Sequence, residues 1–159
     1  MGKRSDFEPM PRDLYLTPIQ PVQALASFLP KSKFTFSEPC AGDGRLIKHV
    51  SDVTNKRGVC MHSCDIVPLE KSISVGDATT VKVPEDADMI ITNPPWSRNK
   101  ASGYLLHNII ENLSDQKPTW LLFDSDWIHT VQAGPYLDRL VAVVSVGRVK
   151  WFEHTNIVR

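Results

Sequence analysis

The chain has 159 residues, 18 Lys plus Arg against 18 Asp plus Glu, 42% hydrophobic and 23% charged positions, the balance of one ordinary globular domain rather than of a disordered tail. No apolar run approaches the roughly 20 residues of a membrane span, the opening MGKRSDFEPMPRD lacks the apolar core of a secretory signal, and three cysteines (Cys40, Cys60, Cys64) make no disulfide framework. These features point to a reducing, cytoplasmic setting, and a net charge of zero omits the basic excess by which a protein holds duplex DNA alone.

After a polar lead-in over residues 1–13, Thr17-Pro18 predicts a helix start, with threonine as N-cap and proline at the first helical position. Val22, Leu25, Ala26 and Leu29 follow at helical spacing, and Pro30 closes the segment. Strand and helix signals then alternate. Strands are expected at Phe34–Phe36, Val59–Cys64, Ile73–Val75, Met89–Thr92, Trp120–Phe123 and Leu140–Val146, with 148–152 the start of a seventh. Helices are expected at 45–53 and at Tyr104–Leu113, with a broken helix over 127–139. Such alternation implies an α/β fold with an open, mostly parallel sheet and helices on both faces. Sheets of that kind bind ligands at the carboxyl ends of their strands, which directs attention to Glu38–Gly44, Asp65, Asp77, Asn93–Trp96 and Asp124–Trp127.

Glu38-x-x-x-Gly42-x-Gly44 joins a strand to a helix. Its glycines let backbone approach a ligand, and the helix N-terminus offers N–H groups to a carboxylate. Ile47 stands where a dinucleotide loop has its third glycine, so a pyrophosphate is disfavoured. Asp65 is placed for ribose hydroxyls and Asp77 for an adenine amino group. A nucleoside carrying an amino-acid carboxylate fits the set, and S-adenosylmethionine is one. Taken singly, these aspartates read equally well as turn formers or caps.

Asn93-Pro94-Pro95-Trp96 follows the most apolar strand. Paired prolines end a ladder and stiffen the backbone. That stiffness would aim the Asn93 side-chain oxygen and the Pro94 carbonyl at one point, where two acceptors can take both hydrogens of a planar exocyclic amine. Trp96 adds a stacking face for a base. The competing structural reading is a Pro-Pro turn capped by asparagine, with the tryptophan in the core.

The loop Glu38-Pro39-Cys40-Ala41-Gly42-Asp43-Gly44 together with Asn93-Pro94-Pro95-Trp96 resembles the S-adenosylmethionine-dependent amino-methyltransferases, in particular small, often phage-encoded, N6-adenine DNA methyltransferases. Tyr15-x-Thr17-Pro18 resembles their N-terminal cofactor motif, and Leu122–Trp127 and Arg148–Phe152 resemble later segments. The resemblance implies a Rossmann-like class I methyltransferase domain over 14–159, with no target-recognition domain and with the chain ending before a final strand. It implies catalytic roles for Asn93, Pro94, Pro95 and Trp96. It places cofactor at Tyr15, Thr17, Pro18, Glu38, Pro39, Cys40, Ala41, Gly42, Gly44, Asp65, Ile66, Asp77, Ala78 and Asn93. Substrate contacts are implied at Asp126 and Trp127, although Ser125 or Asp126 also suits a helix N-cap, and at Arg98 and Lys100, which a solvated loop would equally carry. The acceptor implied is DNA, in a bacterial, phage-infected or plasmid-bearing cell, with a partner subunit or second copy supplying recognition. RNA adenine, cytosine N4 and protein glutamine remain alternative acceptors, and a catalytically inactive binding subunit is the non-enzymatic alternative. Cys60-x-His62-x-Cys64 alternates along a strand, which would set all three on one face, yet no fourth ligand of suitable spacing exists and no metal is expected.

Overall fold

The computed structural model describes residues 15–96, 105–149 and 151. Five parallel strands, β1 (Phe34–Glu38), β2 (Gly58–Asp65), β3 (Ser74–Val75), β4 (Met89–Thr92) and β5 (Thr119–Leu121), lie in the order β3-β2-β1-β4-β5. The order reverses between β1 and β4, so their carboxyl ends flank the switch point at which such sheets open a crevice. Helices α1 (Ile19–Leu25), α2 (Arg45–Val53) and α3 (Leu105–Ser114) cover the sheet.

The two faces are legible in β4. Ile91 packs with Phe34, Phe36, Leu46 and Val50, under α1 and α2. Its neighbour Ile90 packs with Ala78, Ile109 and Leu113, under α3. Adjacent strand residues point to opposite faces, so this split means that both sides of the central strand are covered. The fold is therefore α/β with a five-stranded all-parallel sheet, as the alternating pattern implied. No helix among the described residues is long and apolar enough to cross a membrane.

Several expectations are corrected. Leu140–Val146 does not form a sixth strand: residues 138–146 have no regular structure, and Val141 is 97% exposed. β-Branched composition suits a half-buried pleated surface, but a strand exists only where a ladder partner accepts it, and among the described residues none pairs with this run. Val149 is buried and Trp151 half-buried, again without strand structure, while Lys150 and Phe152 lie outside the described residues. The first helix starts one residue later than expected. Pro18, not Thr17, is its N-cap, and the helix ends at Leu25 rather than reaching Leu29. The broken helix resolves into two 3-10 turns, Ser125–His129 and Val131–Ala133, followed by α4 (Gly134–Leu137). Asp124 caps the first of these turns, accepting from the Asp126 backbone N–H at 3.0 Å, so neither Ser125 nor Asp126 is the cap.

The strand alternation of Cys60, His62 and Cys64 is also broken. The register slips between Phe36 and Ser37, which pair with Cys60 and His62 in turn. Cys60 therefore follows Phe36 to one face and His62 follows Ser37 to the other. The His62 Nδ1 lies 3.4 Å from the Ser37 hydroxyl, and the Cys60 and Cys64 thiols donate to the carbonyls of His62 and Pro39.

Core and periphery are expected to respond very differently. Phe36→Ala, at 0% exposure, should cost about 3–5 kcal/mol in denaturant unfolding. Val141→Ser, in the exposed run, should change stability by no more than about 0.5 kcal/mol.

Candidate functional site

The loop after β1 turns back on itself through two left-handed residues, Gly42 at φ 54° and Gly44 at φ 75°, a conformation in which a Cβ is strained. Four of its amides are satisfied within the protein. Ala41 N–H donates to the Cys64 carbonyl and Gly44 N–H to the Ala41 carbonyl. Gly42 N–H donates to Asp65 Oδ2 at 2.8 Å, and Arg45 N–H to Asp43 Oδ1 at 3.0 Å. The expected set of unengaged N–H groups at this helix N-terminus is present only in part: Asp43 occupies the Arg45 amide, while those of Leu46 and Ile47 have no backbone acceptor among the described residues.

Asp65 has a structural task that sequence did not reveal. Besides the Gly42 amide, its Oδ1 accepts from Val67 N–H at 2.9 Å, so the carboxylate ties the end of β2 to the glycine loop. Each oxygen retains a lone pair for a ribose hydroxyl. Asp77 is exposed, and its Oδ1 accepts from the Thr79 amide and hydroxyl at 2.8 and 2.7 Å.

Glu38 lies beneath the crevice rather than on its wall. It is fully buried, Oε1 accepts from the Thr92 hydroxyl at 2.7 Å, and Oε2 has no partner. Burial pushes its carboxyl up to about 8, against the pull of the Thr92 hydroxyl. Burial likewise pushes the Cys40 thiol far above its ordinary range, and its side chain packs against the cluster of Ala78, Ile90, Ile109 and Leu113.

Asn93 leaves β4 directly beside this group. Both hydrogens of its side-chain amide are engaged: Nδ2 donates to the Tyr15 carbonyl at 3.1 Å and to the Thr17 hydroxyl oxygen at 3.2 Å. A backbone carbonyl can only accept, so the amide cannot be turned the other way round. The acceptor end, Oδ1, is buried and has no partner. Nor does the Pro94 carbonyl accept a bond from the described residues. Among the described residues three buried side-chain atoms are unpartnered, and two of them, Glu38 Oε2 and Asn93 Oδ1, belong to this corner of the sheet. Trp96 is held by a hydrogen bond from its indole N–H to the Leu122 carbonyl at 3.0 Å. It also makes an edge contact with Trp151, the ring centroids being 5.2 Å apart. Trp151 in turn meets Tyr15 at 6.0 Å.

A crevice of about 130 Å³ opens at this place. Of the expected cofactor residues, Tyr15, Thr17, Pro39, Cys40, Ala41, Gly42, Asp65, Ile66, Asp77, Ala78 and Asn93 line it, together with Pro95. Pro18 and Gly44 instead line an open groove of about 1150 Å³ that shares Leu16 and Asp43 with the crevice and reaches Trp151. The structure does not bring Asp126 or Trp127 to the crevice: Asp126 is exposed, and Trp127, 8% exposed, packs with Leu106, Ile110 and Ala133 in the core. Arg98 and Lys100 lie outside the described residues. Sequence reading missed Leu105 and Ile109 of α3, which line the crevice although helical spacing marks them only as inward. It also missed the contact of Trp151 with Trp96, for which no periodicity gives a signal. No group of three metal-ligating side chains occurs among the described residues.

The buried Glu38 makes a pH prediction. Its folded-state value of about 8 stands above the ordinary 4.5, so the folded protein retains a proton that the unfolded chain releases in that interval. Stability is fully present below 4.5 and is lost as pH rises through 8. Unfolding titrations should show this decline, and Glu38→Gln should remove its share of the slope. Among known proteins, no family model and no curated sequence matches this chain.

Proposed function

We propose that this chain is an S-adenosylmethionine-dependent methyltransferase acting on an exocyclic amine, with adenine N6 in DNA as the acceptor. The observation that carries the reading is the Asn93 carboxamide. Its donor end is held by Tyr15 and Thr17, and its acceptor end is buried in a crevice wall without a partner. A buried, unsatisfied acceptor costs about 1–3 kcal/mol, and an arriving N–H donor recovers that cost.

The residues present fit the cofactor. Asp65 has lone pairs for ribose hydroxyls, Asp77 Oδ2 is unengaged beside the crevice for a purine amino group, and Ala78 and Ile66 supply apolar walls. Thr17, already an acceptor for Asn93, links the amino-acid end of such a ligand to the reacting centre. The cofactor, when bound, supplies an electrophilic methyl group on sulfur. The protein's own part is to bind the amine. Asn93 Oδ1 and the Pro94 carbonyl accept its two hydrogens, which localises the nitrogen lone pair and stabilises the positive charge that grows there. Trp96, fixed by Leu122 and Trp151, offers the base an aromatic face. A base inside a duplex reaches this point only when flipped out of its stack. The crevice is smaller than the roughly 300–1,000 Å³ of usual ligand sites, so part of a nucleoside amino acid lies outside it, toward Leu16 and Asp43, where the crevice meets the open groove.

Asn93→Ala should lower methyl transfer by at least about 10²–10³ while cofactor affinity, measured by calorimetry, stays within a few-fold. Unchanged turnover would refute the role. Thr17→Val removes one of the two bonds that orient the amide and should lower kcat about fivefold. A panel of DNA, RNA and protein acceptors with an isotopically labelled methyl donor identifies the acceptor. Cofactor binding without label in any of them would leave a binding subunit.

A further inference from the structure

The segment that carries Asp77 and Ala78 has no regular structure, yet it is bonded firmly to α3. Asn112 Nδ2 donates to the carbonyls of Ala78 and Val81 at 3.0 and 3.1 Å. Gln116 Nε2 donates to the Val81 carbonyl at 3.0 Å and to the Asn112 carbonyl at 2.8 Å, and its Oε1 accepts from Val83 N–H at 2.9 Å. The Ala78, Val81 and Asn112 carbonyls can only accept and the Val83 amide can only donate, so both side-chain amides have a single workable orientation. Within the segment, the Asp77 carbonyl accepts from Thr80 and Val81. The turn is thereby a rigid unit, and the Asn112 and Gln116 amides, at the end of α3 and in the turn that follows it, fix where that unit sits.

Leu105, Ile109 and Asn112 are spaced along one face of α3, and Gln116 follows in the turn just after the helix. The first two line the crevice next to Ala78, and the last two hold the turn that presents Ala78 and Asp77. Ala78, Ile109 and Leu113 form one buried cluster with Ile90 of β4. α3 thus builds one wall of the crevice and sets the distance to the opposite one.

We propose that Asn112 and Gln116 are positioning residues for purine recognition: through the Ala78, Val81 and Val83 backbone they hold Asp77 at the place where its carboxylate meets an exocyclic amine of the cofactor's base. The proposal rests on the methyltransferase reading above, and it assigns adenine-over-hypoxanthine selectivity to side chains that do not touch the ligand. Loss of Asn112 lets the turn drift, so an adenine amine and a hypoxanthine carbonyl become nearly equivalent. Asn112→Asp is not a rescue, because it replaces both donors by acceptors facing two carbonyls. Asn112→Gln retains the donors and serves as the conservative variant.

The test combines binding and exchange. Wild-type protein, Asn112→Ala, Asn112→Gln and Gln116→Ala are titrated with S-adenosylhomocysteine and with its inosine analogue, and amide hydrogen exchange is followed over residues 78–83. Wild-type protein should prefer the adenine compound by about tenfold or more. Asn112→Ala should erase most of that preference, raise the KM for cofactor and leave kcat at saturation near wild type, whereas Asn112→Gln should restore part of the preference. Exchange at 80, 81 and 83 should speed up in the alanine variants while β4 stays protected. A folded Asn112→Ala protein with wild-type base preference overturns the proposal, as does a loss in kcat with cofactor KM unchanged. Wild-type protein that binds neither compound defeats the methyltransferase reading instead. In that event unchanged exchange at 80–83 overturns the clamp too, and faster exchange confirms its mechanical part.

Discussion

A carboxamide has a donor end and an acceptor end, and the position of Asn93 matters only because the choice between them is forced. The Tyr15 carbonyl and the Thr17 hydroxyl take the two N–H bonds, so the oxygen is what the crevice receives. Rotate the amide by half a turn and a carbonyl would face a carbonyl, an arrangement with no hydrogen to share. The N-terminal segment therefore sets the orientation of the Asn93 amide and, in the proposed reaction, acts without supplying a reacting atom. The stiff Pro94-Pro95 path does the same from the other side, fixing where the backbone oxygen lies.

Around that point the protein uses its polar groups twice. Asp65 braces the glycine loop through Gly42 and Val67 and still has lone pairs to offer. Thr17 is the partner of Asn93 and also a wall of the crevice. Glu38 is kept neutral near physiological pH by burial, which places a proton and not a charge beneath the crevice floor. A negative charge there would cost heavily in desolvation. In the proposed reaction, polarity at the amine is left to fixed dipoles, which need no reorganisation as charge develops.

Much of this was legible in the residues. The apolar run Met89–Thr92 gave strand β4 with its observed bounds, and Gly44 marked the start of α2 at Arg45. The expected edge of the sheet indeed gathers Tyr15, Gly42, Asp65, Asp77 and Asn93 at one crevice. What stayed hidden depends on partners rather than on residue types. Thr17 has the chemistry of an N-cap, but its hydroxyl is engaged by an asparagine 76 positions away, so Pro18 takes the cap position. Leu140–Val146 has every local mark of a strand and, among the described residues, lacks only a neighbour to bond with. Asn112, near the end of α3, and Gln116, just past it, carry no signal in the sequence, because their role exists only where the carbonyls of Ala78 and Val81 stand opposite them. Trp127 has an aromatic ring suited to a base, yet it fills the core under Phe123 and Tyr136.

The bond from Asn93 to the Tyr15 carbonyl spans 78 residues of chain, whereas β1 and β2 meet over far shorter loops. Closing so long a loop is entropically the dearest of these contacts and among the last to form during folding. A nascent or partly melted molecule can therefore possess the sheet, the glycine loop and every side chain of the crevice while its asparagine spins freely between two faces. On the proposed reading, heat or mild denaturant should abolish methyl transfer well before the sheet unravels.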